Sequence, residues 1–284
     1  MTKRQNSFPP SVLHAPSEDN YFSSQFVHCA ITRENQNGKN QRFYFIYQAP
    51  IGDEGRRDTV AMVADKQTGK RTSHYRIWDT TRINFDLGIN GRDVSSIKSC
   101  SLKLNKKSGN YLGKLRRDKS SKDIHGFSIY NSKEEKQQIG AFVYSKTPLI
   151  QQMKDGHPPR NVRVAIPQIN NDGQMESLAP YLKNRLVECA YNETKTGIFL
   201  FQNKEPTFQN GQYRLNFSGR VTRPSVKNVQ LVGSMYINDE GKEEEQEEIF
   251  LQFGKVGDNR FHLDFKRPFN ALQSFALALS AIDL

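Results

Sequence analysis

Short apolar runs recur along the chain, and in most of them apolar and polar residues alternate with a period of two. In the stretch RFHLDF, Phe261, Leu263 and Phe265 fall on one face, while His262 and Asp264 fall on the other. Clusters of Gly, Asn, Asp and Pro separate the runs and predict tight turns. Many short strands joined by turns are typical of an all-β barrel or sandwich. The runs predicted as strands are residues 26–33, 42–49, 58–65, 73–79, 96–104, 127–131, 138–145, 161–167, 197–203, 212–219, 226–237, 248–254 and 260–265.

The last segment, residues 267–284, has a helical pattern instead, and it is apolar on nearly every side. The positions with helical spacing are Leu272, Phe275, Ala276, Leu279 and Ile282. A helix that is apolar nearly all round must be buried all round. We therefore predict that this helix lies inside a closed β-barrel, with an interface between two copies of the chain as the alternative. A weaker helical pattern covers residues 179–190.

The N-terminal segment differs from the rest in composition. Residues 1–23 are polar and contain prolines, which predicts a disordered leader before a single domain at residues 24–284. The leader has no apolar core, so it is not a secretory signal, and no run reaches the roughly 18 apolar residues of a spanning helix. The three cysteines are widely spaced, which favours a reducing, intracellular compartment.

The charge of the chain is strongly positive and unevenly distributed. The formal net charge is +11, although residues 239–248 hold seven acids and one lysine. The remainder is therefore more basic than the average, which favours an anionic partner such as nucleic acid, a membrane surface or a phosphorylated ligand. A basic surface that is merely solvated is the alternative. No nucleotide-binding, catalytic or metal-binding motif is present, so we expect neither an enzyme nor a bound cofactor.

The densest cationic cluster is in the stretch YLGKLRRDKS, residues 111–120, where only Asp118 opposes four basic residues. In a strand, Lys114 and Arg116 point to the same face, about 7 Å apart, and Leu115 points to the core. Arg116 suits bidentate binding of a phosphate, and Lys114 acts as a mobile point charge. Charges that protect an exposed strand edge from aggregation are the alternative.

Longer stretches of the sequence resemble the tubby C-terminal domain. The resemblance runs in register from about residue 24 to the end of the chain. It is carried by CAITR (29–33), TSHYRI (72–77), YLGKLR (111–116), LFQNKEPTF followed by YRLNFSGRVTRPSVKN (200–228), LQFGKV (251–256) and FNALQSFALALSAID (269–283).

This resemblance implies a closed twelve-stranded β-barrel around a central apolar C-terminal helix. It also implies binding of phosphatidylinositol 4,5-bisphosphate through a basic pocket on the outer barrel surface. Members of the family act as membrane-associated adaptors or signalling proteins, and some deliver receptors to cilia. A role as a transcription factor has also been proposed for them, so a nucleic-acid-binding regulator stands as the alternative function.

The resemblance assigns the site to four positions. Lys114 and Arg116 match the family pattern, whereas His74 stands where the family has asparagine and Lys136 where it has arginine. An ordinary turn histidine is the alternative for His74. These two departures leave the preferred head-group isomer open. The auxiliary basic residues are Lys70, Arg71, Arg117 and Lys119.

The expected partners are phosphoinositide head groups of the cytoplasmic leaflet and an unknown protein cargo, bound by a monomer. The expected location is cytoplasmic and peripheral at the inner face of the plasma membrane, with the cilium or nucleus as further locations.

Overall fold

Sixteen strands and two α-helices are described in the computed structural model of this chain. The residues that it describes are 26–36, 40–50, 58–68, 73–80, 104–107, 109–118, 123–132, 137–146, 160–172, 174–193, 197–209, 212–233, 236–237, 243–244 and 248–284. The strands are β1 Val27–Gln36, β2 Asn40–Tyr47, β3 Thr59–Thr68, β4 Ser73–Asp79, β5 Tyr111–Arg117, β6 Ile124–Asn131, β7 Gln138–Ser145, β8 Val162–Pro167, β9 Ile198–Asn203, β10 Thr207–Gln209, β11 Gln212–Arg214, β12 Val229–Gly233, β13 Tyr236–Ile237, β14 Glu243–Glu244, β15 Ile249–Gly257 and β16 Arg260–Phe265. The helices are α1 Leu186–Asn192 and α2 Ala271–Asp283.

Twelve of these strands form a closed antiparallel barrel. The order around the barrel is β1, β16, β15, β12, β9, β8, β7, β6, β5, β4, β3 and β2, and β2 returns to β1. Two small hairpins, β10–β11 and β13–β14, lie outside this sheet. The predicted all-β fold class and the closed twelve-stranded barrel are confirmed. Closure leaves no free sheet edge, so protection of an exposed edge is not needed at β5, which pairs with β4 and β6.

The core lies inside the barrel because alternate residues of each strand point inward. Phe261, Leu263 and Phe265 of β16 belong to this core, as their alternation predicts. Helix α2 belongs to the same core, and its residues 271–282 are all buried within the single chain. An interface between two copies is therefore the wrong explanation for its apolar surface. The predicted helix at 267–284 is confirmed over Ala271–Asp283.

Helix α2 begins with reciprocal hydrogen bonds at its N-terminus. The Asn270 side chain accepts from the Gln273 backbone at 2.8 Å, and the Gln273 side chain accepts from the Asn270 backbone at 3.1 Å. Gln273 also donates to the Ile139 carbonyl of β7 at 2.8 Å. The capping pair thus fixes both the start of the helix and its position against the barrel wall.

Several predicted elements differ from the structure. Residues 212–219 were predicted as one strand, but β11 ends at Arg214. The following residues 215–228 are irregular because their polar groups bond to the outer barrel surface, as with the Asn216 carbonyl and Gln230.

Other predicted boundaries also change. The run 226–237 contains two short strands, β12 and β13, and the run 179–190 contains a 3₁₀ turn at Pro180–Leu182 and then α1. The predicted strand 96–104 and the leader 1–23 lie outside the described residues, apart from Leu104. In the described part of the chain, no helix is long and apolar enough to cross a membrane.

Candidate functional site

The two cations of the GKLR stretch lie where their spacing predicts. In β5, Leu115 is fully buried in the barrel core, Lys114 is half-buried, and the Arg116 side chain is 53% exposed. Because side chains alternate along a strand, Lys114 and Arg116 share the outer face. The geometric condition of the predicted site is therefore met on the outer wall of the barrel.

Strand β4 adds two more residues to this face. His74 lies directly opposite Arg116 in the antiparallel register, and Arg76 lies directly opposite Lys114. Tyr75 and Ile77, between and after them, belong to the core. Side chains in directly opposed positions have Cβ atoms about 5 Å apart. We call His74, Arg76, Lys114 and Arg116 the outer basic cluster.

Within the described ranges, Arg116 of the outer basic cluster is only weakly neutralised by a neighbouring acid. Arg116 approaches Asp118 at 4.0 Å, the outer limit of an ion pair. Asp118 also accepts a 2.5 Å hydrogen bond from Ser128, and the Ser128 hydroxyl accepts from Gln138 at 2.8 Å. Asp118 is thus held toward β6, which leaves the Arg116 guanidinium accessible to a further anion.

The second acid near the cluster is Asp65 of β3, which lies opposite Arg76 in the sheet. Its two carboxylate oxygens accept from Arg42 of β2 at 2.6 and 2.9 Å. A bidentate arginine–carboxylate pair uses both oxygens. Arg76 itself makes no ion pair or hydrogen bond through its side chain to any residue that the structure describes.

The electrostatics of His74 reflect these neighbours. Burial lowers the pKa of His74 below its ordinary value, and the positive charges of Arg76, Lys114 and Lys106 lower it further. His74 is therefore neutral at neutral pH and offers a hydrogen bond rather than a charge. Lys106 belongs to the turn before β5, so it adds a fifth basic group near the cluster.

Sequence reasoning missed Arg76 and Lys106, for different reasons. Arg76 follows His74 by two residues in a predicted strand, so alternation alone was a usable signal for a shared face. The position of Lys106 had no such signal. Its turn is attached to the barrel by hydrogen bonds such as that from Trp78 Nε1 to the Asn105 carbonyl at 3.0 Å.

Among the other predicted basic residues, the structure describes Arg117 alone, and it lies outside the cluster. Arg117 points to the opposite face of β5, where it donates to His125 Nδ1 at 2.9 Å and lies 5.7 Å from the centre of the Phe127 ring. The remaining four lie outside the described residues, and nothing tests their role. They are Lys70, Arg71, Lys119 and Lys136.

Gly113 is required by strand packing at the edge of the site. A Cβ atom at this position would lie 2.0 Å from the Tyr130 carbonyl oxygen of β6. The neighbouring Lys114 Nζ lies 5.9 Å from the centre of the Tyr130 ring. The glycine therefore permits close approach of the β5 and β6 backbones, which holds Lys114 beside Tyr130.

No group of His, Cys, Asp and Glu residues in the described ranges is arranged to hold a metal ion. The side chains of the outer basic cluster are hydrogen-bond donors and cations, so the contacts they offer are non-covalent. They can donate hydrogen bonds and provide positive charge to an anion that carries several oxygens.

Comparison with known proteins identifies one matching family and several relatives. The Tub family model matches residues 19–284. Tubby-related protein 2 of Homo sapiens is 36% identical over 157 residues, which are 54% of this chain and 27% of that protein. Tubby-related protein 1 of Mus musculus is 29% identical over 265 residues, 85% of this chain and 45% of that protein. Tubby-related protein 3 of Mus musculus is 27% identical over 271 residues, 90% of this chain and 51% of that protein. The chain thus spans about half or less of the length of these relatives.

Proposed function

This chain belongs to the Tub family, and we propose that its outer basic cluster binds the head group of phosphatidylinositol 4,5-bisphosphate. Binding of this lipid tethers the barrel to the cytoplasmic leaflet, where the protein acts as an adaptor rather than as an enzyme.

The observation that carries the proposal is the shared outer face of Lys114 and Arg116, with the nearest described carboxylate of Arg116 only at 4.0 Å. Like charges on one strand face repel each other, and a phosphorylated ring relieves that repulsion. Arg116 donates two parallel hydrogen bonds to one phosphate, and the Lys114 ammonium contributes a mobile charge beside it.

Membrane attachment at this site is expected to be reversible. Each basic residue near an anionic leaflet contributes about 1 kcal/mol, and salt screens that contribution. The three cations of the outer basic cluster, Arg76, Lys114 and Arg116, with Lys106 beside them, therefore support a peripheral location at the inner face of the plasma membrane. Delivery of membrane proteins, including delivery to cilia, fits a protein that binds this lipid on one face.

The test is sedimentation of the full chain with phosphatidylcholine vesicles, with and without phosphatidylinositol 4,5-bisphosphate. Wild-type protein is expected to pellet only with the bisphosphorylated lipid. Lys114→Ala combined with Arg116→Ala is expected to lower the affinity at least about 100-fold, because each of the two lost charged contacts contributes about 1.5–3 kcal/mol.

A matched control is available on another face. Lys183 and Arg185 are also a lysine and an arginine two residues apart, and both are exposed before α1. Replacing both with alanine removes the same net charge and should leave vesicle binding nearly unchanged. Equal loss in the two double variants, or equal pelleting of the wild type with neutral vesicles, would contradict the proposal.

The alternative, a nucleic-acid-binding regulator, is motivated by the net charge of +11. A parallel measurement of binding to duplex DNA distinguishes the two functions. Binding of nucleic acid through phosphates alone weakens steeply with salt. Tight, sequence-selective DNA binding above physiological salt would favour the alternative.

A further inference from the structure

Arg76 is the member of the outer basic cluster whose role the predicted site does not explain. It is half-buried on the outer face of β4, between His74 and Trp78, and it lies directly opposite Lys114. Its Nε atom is buried and has no hydrogen-bond partner among the residues that the structure describes. The described residues also provide no ion pair to its guanidinium.

Such an arrangement is costly in the isolated protein. A guanidinium carries five N–H donors in a fixed fork, and a buried donor without a partner loses its hydration with nothing in return. Like charges directly opposed on neighbouring strands are also destabilising. The cross-strand acid that would otherwise relieve both costs, Asp65, has both oxygens bonded to Arg42.

The surroundings of Arg76 restrict where an external partner can approach. On one side, the Trp78 and Tyr111 rings pack 5.7 Å apart and form an aromatic wall. The Trp78 indole is fixed by its hydrogen bond to Asn105. The positive charge of Arg76 lowers the pKa of His74. Burial raises the pKa of Tyr111, and the charge of Arg76 opposes that rise. The strand register sets Arg76 directly opposite Lys114, so the two side chains share the outer face.

We propose that Arg76 is a further phosphate-binding residue of this site and that it binds, together with Lys114, a phosphate adjacent to the one held by Arg116. The inference rests on the proposed function, since it assigns a further contact to the same ligand. Two facing pairs, Arg76 with Lys114 and His74 with Arg116, lie next to each other along β4 and β5. Each pair accommodates one phosphate, so the surface selects a ring with two neighbouring phosphates over a ring with isolated ones.

Calorimetric titration of the full chain with soluble head groups tests this assignment. The probes are inositol 1,4,5-trisphosphate, which has adjacent phosphates, and inositol 1,4-bisphosphate, which has none adjacent. The wild type is expected to bind the first at least about tenfold more tightly. Arg76→Leu should lose about tenfold in affinity for the trisphosphate and change little for the bisphosphate. Arg76→Lys should give an intermediate affinity, because it keeps the charge and loses the fork.

Thermal unfolding without ligand distinguishes binding from a structural role. A structural arginine would lower the melting temperature when replaced by leucine, whereas removal of an unpartnered charge should leave the temperature equal or higher. If Arg76→Leu does not fold, the titration of Arg76→Lys tests the assignment instead. Full retention of trisphosphate affinity in Arg76→Lys would then contradict the proposed contact of the Arg76 guanidinium with phosphate.

The outcomes separate this inference from the function it rests on. Unchanged binding in Arg76→Leu, with loss in the Lys114 and Arg116 double variant, overturns the role of Arg76 and leaves lipid binding intact. Equal loss for both inositol phosphates overturns the assignment to an adjacent phosphate. Failure of the wild type to bind either probe overturns both proposals.

Discussion

His74 shows how neighbouring charges turn a single residue into a pH-dependent contact. The groups facing it are Arg76 on its own strand, Lys114 and Arg116 on β5, Gln67 on β3 and Lys106 in the turn before β5. In the ligand-free protein, burial and the nearby positive charges keep the pKa of His74 low. A bound phosphate reverses the local field and favours the protonated imidazole.

We expect binding of the bisphosphorylated head group to take up a proton at His74. By linkage, affinity should then rise as the pH falls from neutral through the ordinary histidine pKa of about 6.5. Protonation of the ligand phosphates works in the opposite direction, so the measurement is the difference between the wild type and His74→Asn.

Titration calorimetry over this pH range checks the prediction. The wild type should gain affinity relative to His74→Asn by several-fold at the acidic end, since each unit of pKa shift corresponds to about 1.4 kcal/mol. Parallel pH profiles in the two proteins would show that His74 contributes no titrating contact.

At the scale of elements, a buried carboxylate is one of the groups that attach the irregular segment 215–228 to the barrel. Arg220 donates to Asp264 of β16 at 2.5 and 2.9 Å, and Gln252 of β15 donates to it at 2.8 Å. His28 Nδ1 lies 2.9 Å from the same carboxylate. The polar face of β16, which alternation predicts to be solvated, is therefore covered by a segment of the same chain.

This network controls the ionisation of Asp264. Burial by itself would raise the pKa of Asp264, but hydrogen bonds from His28, Arg220 and Gln252 outweigh it and lower the pKa from 3.8 to about 2. A carboxylate with a lowered native pKa stabilises the fold above its unfolded pKa, and this contribution disappears as the pH falls through the native value. The contribution is about 2 kcal/mol at neutral pH.

We expect Asp264→Asn to lower the free energy of unfolding by about 3 kcal/mol at pH 7, because Arg220 keeps a buried charge without its partner. The difference from the wild type should shrink as the pH falls from 3.8 toward 2. Urea unfolding at several pH values measures both effects.

Asp258→Asn is the matched control for this variant. The Asp258 side chain is 85% exposed, and its contacts with Arg223 and Lys255 are long, at 3.9 and 3.7 Å. Its replacement should change stability by less than about 0.5 kcal/mol. A loss in Asp264→Asn no larger than that of the control would show that the network does not hold the segment.

For the whole molecule, the central question is whether the barrel and α2 fold as one cooperative unit. Inward residues from all parts of the barrel share one core with the helix. Phe275 of α2 is fully buried, and its ring lies 5.4 Å from that of Phe45 on β2. Trp78, the single tryptophan, lies on the outer side of β4 and reports on the barrel wall.

We expect Phe275→Ala to lower the free energy of unfolding by about 3–5 kcal/mol, since it removes a large ring from a closed core. The transition measured by Trp78 fluorescence should shift together with that measured by far-ultraviolet circular dichroism. Tyr181→Ala removes a ring that is 55% exposed and should shift neither. A Trp78 transition that does not move in Phe275→Ala would mean that helix and barrel unfold separately.

Local periodicity in the sequence determined most of the elements. Alternation predicted inward residues such as Phe261 and Leu263, and an apolar surface on every side predicted the burial of α2, because each pattern depends only on residues near in the chain. The shared face of Lys114 and Arg116 follows from the same local rule.

Only the tertiary structure decided which residues lie opposite Lys114 and Arg116 on the neighbouring strand. β4 and β5 are far apart in sequence, and neither strand encodes the register that sets Arg76 opposite Lys114. The covering of Asp264 by Arg220 likewise joins residues 44 positions apart. Strand pairing and the burial of polar groups depend on the closed barrel as a whole, so the composition of the outer basic cluster follows from the fold and not from any single stretch of the chain.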